Sequence, residues 1–334
     1  MKKLTILLVV VFCTTIFTVP ARSAIKKVAQ TGLQFLKIDV SARAAAMGGA
    51  YTMPGNDASA MFYNPAGMAL MQSKLDFFAS RTEWFAGITY DAAGLAADLG
   101  NWGTVGASVV AADYGNDIIG TVFATNEKGY EKTGMVDVGA YAVGLSYAKS
   151  LTDKFSVGGQ VKYAGQNLGS NVLTMVNDKL GPEVENKVSG FAFDFGTIFY
   201  PGFQSLRIGM SVNNFSEQFK YQEEAFQLPL TFKVGAAMDI LDVLMGEHND
   251  PLLISIDALH PRDYTERIHV GGEYWYNGMI ALRSGYKFNY DEEGFSAGVG
   301  LKQTIAGMNI KLDYAYSDLG IFETVSRFSF GISF

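Results

Sequence analysis

Three histidines, His248, His260 and His269, are the first residues of this chain that could carry chemistry. They do not lie at the short separations from one another that zinc sites use. No glycine-rich loop is followed by the Lys and Ser or Thr of a phosphate-binding loop. We therefore expect no metal site, no cofactor and no enzymatic activity. A Ser-His-Asp hydrolase stays open as an alternative, because such triads are assembled in space and leave no fixed spacing in the sequence.

Charged residues form a second group of candidates, because they recur at alternate positions of otherwise apolar stretches. Alternate residues of a strand point to the same face of a sheet, so we expect one face to carry both signs of charge. An unpaired buried charge is costly, which favours ion pairs inside a wet lumen; the alternative is a solute pathway. The candidate lumen charges are Arg207, Lys233, Asp257, Glu273, Arg283 and Asp313, with Lys162, Asp194, Lys302 and Lys311 beside them.

The elements that position these charges are predicted by strict alternation of apolar and polar residues. In the last strand, Phe328, Phe330, Ile332 and Phe334 alternate with Ser329, Gly331 and Ser333. Similar stretches give about fourteen strands between Leu75 and Phe334, an even number, as in bacterial outer-membrane barrels. The predicted fold is all-β, a transmembrane antiparallel up-and-down β-barrel at 73–334. The alternative is a soluble β-sandwich with its polar face outward.

The first residues of the chain are typical of an export signal. Lys2 and Lys3 precede an apolar run at 4–19 that is too short for a typical membrane span, and small residues follow it, so we predict a cleaved signal peptide at 1–23. Cys13, the one cysteine, lies inside this signal, so we expect neither disulfides nor thiolate metal ligands. The net charge of −7 argues against a nucleic-acid partner.

Between the signal and the barrel, residues 24–72 lack sustained alternation and are rich in small side chains. We predict that this segment is a hatch or plug inside the lumen. Asp57 could cap a short helix at 58–62, and the Asn64-Pro65 pair is a turn signal that would end it. The predicted plug motif comprises Asp57, Ser59, Asn64, Pro65, Ala66 and Gly67.

The most distinctive connection is His260-Pro261-Arg262-Asp263, on the predicted outer side of the barrel. The simpler interpretation is a rigid turn, because proline fixes the backbone and Asp263 can bond nearby amides. The alternative is an external surface for a partner.

The order of several short blocks resembles the PorV/PorQ family of outer-membrane proteins over essentially the whole mature chain. The N-terminal blocks lie at 34–36, 41–43, 47–51, 57–60 and 63–67, and the C-terminal blocks lie at 260–261, 266–267, 282–286, 312–316 and 327–329. The element Asn64-Pro65-Ala66-Gly67 also resembles the hatch of FadL-type transporters, which implies a FadL-like barrel of fourteen strands with an N-terminal plug.

The resemblance also implies a function. The best-understood members of the family serve type IX secretion, where they bind the C-terminal signal domain of cargo and pass it from the translocon to the surface machinery. We therefore expect a secretion accessory in the outer membrane, surrounded by outer-membrane lipid, with the translocon and cargo signal domains as partners. The alternative is a FadL-like passive transporter of hydrophobic small molecules.

Overall fold

The computed structural model of this chain describes residues 31–115, 118–176, 179–246, 248–322 and 324–334. The predicted signal peptide at 1–23 lies outside the described residues. Within them, twenty β-strands run from β1 to β20 in chain order. Fourteen of these strands form one closed antiparallel barrel, in which β20 pairs with β1 and completes the ring. This confirms the predicted barrel, its strand number and its antiparallel arrangement.

The barrel strands are β1 (Leu75–Glu83), β2 (Thr89–Asp98), β3 (Thr104–Asp113), β6 (Gly139–Ser150), β7 (Phe155–Val172), β10 (Glu183–Phe199), β11 (Arg207–Phe215), β14 (Thr231–Asp239), β15 (Leu252–Pro261), β16 (Arg267–Tyr276), β17 (Ile280–Phe288), β18 (Phe295–Ile305), β19 (Met308–Asp318) and β20 (Thr324–Ser333). The other strands are β4 (Ile119–Phe123), β5 (Tyr130–Met135), β8 (Met175–Val176), β9 (Lys179–Leu180), β12 (Phe219–Lys220) and β13 (Ala225–Phe226).

The helices are short. Among the described residues, two are α-helices, at Ala42–Ala46 and Leu241–Leu244, and the others are 3-10 helices at Gln34–Lys37, Ala58–Phe62, Pro65–Leu70, Phe85–Gly87, Gly100–Trp102 and Gly320–Phe322. In the described part of the chain, no helix is long and apolar enough to span a membrane.

The two faces of the wall differ as the alternation predicts. In β20, Phe328 and Phe330 are 51% and 37% exposed, whereas Ser329 is buried. The same contrast recurs in β11, where Met210 is 48% exposed and Ser211 is buried. An apolar outer face and a polar inner face are the pattern of membrane barrels.

The two ends of the barrel also differ. One end, named here the short-turn end, carries tight connections such as Asn277-Gly278 between β16 and β17, where both residues have positive φ, as a type I′ hairpin turn requires. The other end, the loop end, carries the additional two-stranded sheets β4–β5, β8–β9 and β12–β13. The strands β7 and β10 also extend towards this end, where they stay paired as far as Val172 and Glu183.

Candidate functional site

The candidate site is the lumen, in which residues 31–72 lie against the inner face of the wall. Four glycines of the wall mark the closest approach. A Cβ atom added to Gly271 or Gly285 would lie 2.3 or 2.1 Å from backbone atoms of Met47, and one added to Gly158 would lie 2.4 Å from the Ala66 nitrogen. At Gly196 it would lie 1.8 Å from the side chain of Asn64. Only residues without a side chain leave this room.

The α-helix Ala42–Ala46 occupies the part of the lumen beside β17, β18 and β19. Ser41 caps it, since its hydroxyl accepts from the Ala44 amide, and Gly48 and Gly49 follow with positive φ. A serine cap and a glycine just after the last turn are ordinary helix boundaries. No helix is predicted from the sequence at these positions, so this helix was missed.

Asn64 holds a second part of the segment. It caps the 3-10 helix Pro65–Leu70, and its Nδ2 donates to the carbonyl oxygens of Thr52 and Thr197 at 3.0 and 3.2 Å. The Asn64-Pro65 pair therefore begins a second short helix as well as following the predicted one at Ala58–Phe62. Proline fits the first position of a helix, where its missing N–H is not needed. Ala66 and Gly67 lie in this helix, and a Cβ atom added to Gly67 would lie 2.4 Å from the Gly55 carbonyl oxygen.

Asp57 connects the predicted helix, Ala58–Phe62, to the wall. Its Oδ1 accepts from the amide and hydroxyl of Ser59, and its Oδ2 lies 3.0 Å from Lys311 Nζ. Burial alone would raise the pKa of the Asp57 carboxyl, but Lys311 and Arg43 outweigh it and lower that pKa to about 2. Because the folded pKa is depressed, this contribution to stability is present above the unfolded pKa and is lost as the pH falls through about 2.

A charge cluster, defined by Arg43, Glu273, Arg283 and Asp313, joins the helix Ala42–Ala46 to three strands. Arg43 binds Glu273 with two hydrogen bonds of 2.7 and 2.6 Å. Arg283 donates to Glu273 at 2.6 Å and to Asp313 at 2.7 Å. The structure thus brings together three of the predicted lumen charges. Arg43, which completes the cluster, was missed as a lumen charge, although a lone arginine in an alanine run is a visible signal.

The remaining predicted lumen charges lie apart from this cluster. Asp257 is buried and accepts from the amide and hydroxyl of Thr52 at 2.9 and 2.6 Å. Lys233 lies 5.8 Å from the Tyr63 ring, and Arg207 lies on the inner face of β11 near the short-turn end. The neighbouring Lys162 and Asp194 pair at 2.8 Å.

The loop at 260–263 divides into inward and outward residues. Asp263 is buried and accepts from Thr31, Gln34 and Lys37 at 2.8, 3.1 and 2.8 Å. It therefore fixes the start of the N-terminal segment and does not belong to an external surface. Pro261 is also buried, whereas Arg262 is half-buried and His260 is exposed and pairs with Glu266 at 3.3 Å. The idea of an external partner surface is thus limited to His260 and Arg262.

The three histidines differ in their partners. His269 lies 2.8 Å from the Tyr290 hydroxyl, and His260 pairs with Glu266. Asp239, Asp242 and His248 place three possible metal ligands within 4.8 Å of one another at the short-turn end. Both ring nitrogens of His248 are engaged, however, with Gly246 O at 2.7 Å and Asp239 Oδ2 at 2.8 Å. This arrangement favours a protonated ring, which has no lone pair for a metal.

His248 is expected to be protonated more readily than a free histidine. The hydrogen bond to the Gly246 carbonyl and the one to Asp239 raise the pKa of His248 above its ordinary 6.5. The ring should therefore stabilise the turn at 240–251 below the unfolded pKa, and this effect should disappear as the pH rises through the folded pKa. A titration by nuclear magnetic resonance with labelled histidine should give a pKa above 6.5, and Asp239→Asn should lower it. A wild-type value at or below 6.5 would refute this account of the turn.

A family model described as "Type IX secretion system protein PorV" matches residues 21–251. The chain belongs to the PorV family. This confirms the family that the N-terminal blocks at 34–67 resemble. No curated protein matches the chain.

Solved structures show which fold the PorV family member shares. The toluene transporter TbuX of Ralstonia pickettii has a TM-score of 0.57 at 15% identity, over 87% of this chain and 96% of that one. The toluene transporter TodX of Pseudomonas putida has a TM-score of 0.55 at 12% identity, over 88% and 96%. A FadL homologue of Pseudomonas aeruginosa has a TM-score of 0.53 at 12% identity, over 89% and 98%. The chain therefore has a FadL-like fold and is an outer-membrane β-barrel protein.

Proposed function

We propose that this protein is an accessory of type IX secretion that binds or shuttles cargo. The family match over 21–251 is the observation that carries this proposal. The partners would be the translocon and the C-terminal signal domains of the cargo, and outer-membrane lipid would surround the wall. Residues 1–23 would act as the export signal.

We further propose that residues 24–72 act as a plug. The described part of this segment supports the idea, because Arg43, Asn64 and Asp57 bind the inner wall through Glu273, Thr197 and Lys311. These three contacts would hold the segment inside the lumen and keep the lumen closed. A closed barrel acts through the surfaces that it offers to partners, and His260 and Arg262 at the loop end would belong to such a surface.

Deleting the gene tests the secretion proposal. Cargo that carries a type IX signal domain should then accumulate in the periplasm, and little of it should reach the medium or the cell surface. A periplasmic protein without the signal domain serves as the control and should keep its location. Unchanged secretion of the cargo in the deletion strain would refute the proposal.

Passive transport of a hydrophobic molecule is the second candidate, and it rests on the FadL-like fold. The inner wall argues against it, because Glu273, Arg283 and Asp257 are charged residues facing the lumen. Under this alternative, loss of the whole protein would reduce uptake of the solute, and Arg283 or Asp257 substitutions would alter it. Uptake that does not depend on the protein would remove the alternative.

A further inference from the structure

A cavity of about 250 Å³ lies between the start of the N-terminal segment and the loop end of the wall. At about 30 Å³ for each water of the liquid, this volume corresponds to about eight waters. Residues of the N-terminal segment, including Lys37 and Asp39, form one side, and aromatic side chains, including Trp84 and Tyr290, form part of the remainder. A small organic molecule would fit.

The lining of this cavity is predominantly positive. Its carboxylates are Asp39 and Glu293. Its cationic residues are Lys37, Lys162, Lys233, Arg267, Lys287 and Arg327.

Three of these cations have carboxylate partners. Lys287 lies 2.9 Å from Asp39 and 2.5 Å from Glu293, so it uses both carboxylates of the lining. The pairs of Lys37 with Asp263 and of Lys162 with Asp194 measure 2.8 Å each. Asp39 also attracts Lys233 and Arg327, but from beyond ion-pair distance, so the positive charge of these two cations is only partly offset.

Lys233, Arg267 and Arg327 are the remaining cations. Among the described residues, none of the three has a carboxylate oxygen within 4.0 Å. Arg267 is held between the rings of Tyr264 and Tyr290, with its Cζ 4.0 and 3.7 Å from their centroids, and its buried Nε has no hydrogen-bond partner. Stacking fixes the plane of a guanidinium in advance. Such a cation needs little reorganisation to bind an anion.

We propose that this cavity binds a small organic anion, a carboxylate or a phosphate monoester, through Lys233, Arg267 and Arg327. The anion supplies the negative charge that balances these three cations, and the aromatic side chains contact its organic part. Hydrogen bonds between such cations and an ionised oxygen are among the stronger ones in proteins. The proposal does not depend on the secretion role, because it concerns only the cavity.

The test measures binding to the full-length protein in detergent micelles. Benzoate, phenyl phosphate and neutral benzyl alcohol are titrated at constant ionic strength, and the tryptophan fluorescence is followed, since Trp84 lines the cavity. Saturable binding of benzoate, phenyl phosphate or both is expected, with no saturation by benzyl alcohol. Lys233→Met should weaken binding about 10-fold or more, as the loss of a hydrogen bond to a charged group implies, while Lys233→Arg should retain it.

Lys302→Met is the matched control, because Lys302 lies on the inner face near the short-turn end and does not line the cavity. It should bind like the wild type, and heat-modifiable electrophoretic mobility should show that each variant is a folded barrel. Binding of benzoate alone would identify a carboxylate site, and binding of phenyl phosphate alone would identify a phosphate site. Absence of saturable anion binding, or equal weakening by Lys302→Met and Lys233→Met, would overturn the proposal.

Discussion

Replacing Glu273 with glutamine is expected to lower the free energy of unfolding by about 3–5 kcal/mol, the usual cost of breaking a buried ion pair from one side. The carboxylate of Glu273 lies between Arg43 and Arg283, and its side chain is 2% exposed. When Glu273 becomes the neutral glutamine, Asp313 is the only carboxylate of this cluster that remains for the guanidinium groups of Arg43 and Arg283. Urea unfolding, followed by heat-modifiable mobility, measures the change.

The control for this prediction is Glu185→Gln. Glu185 pairs with Lys187, but both side chains are more than half exposed, and exposed pairs contribute at most about 1 kcal/mol. The double variant Arg43→Met with Glu273→Gln should recover part of the loss, because Arg283 and Asp313 then balance each other. If Glu273→Gln costs no more than Glu185→Gln, the cluster does not stabilise the segment in the lumen.

Replacing Gly271 with alanine is expected to cost about 2–3 kcal/mol, as overpacking of a well-packed site does, and to displace the N-terminal segment. The added Cβ would lie 2.3 Å from the Met47 carbonyl oxygen and 2.8 Å from Met47 Cβ. Gly271 lies on β16, whose backbone is hydrogen-bonded to neighbouring strands of the closed barrel and cannot easily shift. The N-terminal segment must therefore move away from the added Cβ. Trypsin cleavage after Arg43 in the folded barrel should become faster than in the wild type.

The neighbouring Gly272 provides a matched control on the same strand. Its side-chain position faces outward, where an added Cβ would meet Ile254 at an ordinary 3.5 Å. Gly272→Ala should therefore leave both the stability and the cleavage rate close to those of the wild type. Equal effects of the two substitutions would show that the close contact with Met47 does not hold the segment in place.

The strands of the wall could be predicted well, because strict alternation of apolar and polar residues indicates a strand with one apolar and one polar face. A strand such as β20, with Phe328 and Phe330 opposite Ser329, must place its apolar residues on one face. Hairpin connections between successive strands favour an antiparallel order, and an antiparallel ring closes only with an even number of strands. The sheets β4–β5, β8–β9 and β12–β13 were not predicted, because their strands have two to six residues and show little alternation.

Inside the lumen the sequence predicted residue types better than partners. Asp57 does cap the short helix at 58–62, because capping depends on neighbours in the chain, whereas Asn64, predicted only to end that helix, also caps the next one. Glu273, Asp257 and Asp263 instead contact residues of the N-terminal segment that lie more than 200 positions away. Such contacts depend on the closure of the barrel around the segment, and no local spacing records them.

The most direct test of the proposed secretion role is gentle extraction of the native protein from its own outer membrane, followed by mass spectrometry of what stays bound. A family member that shuttles cargo should retain translocon subunits or cargo signal domains, and mild washing with salt should not remove all of them. An unrelated outer-membrane barrel from the same preparation is the control. A lone barrel that carries only a lipid-like molecule would contradict the proposed role and favour hydrophobic transport.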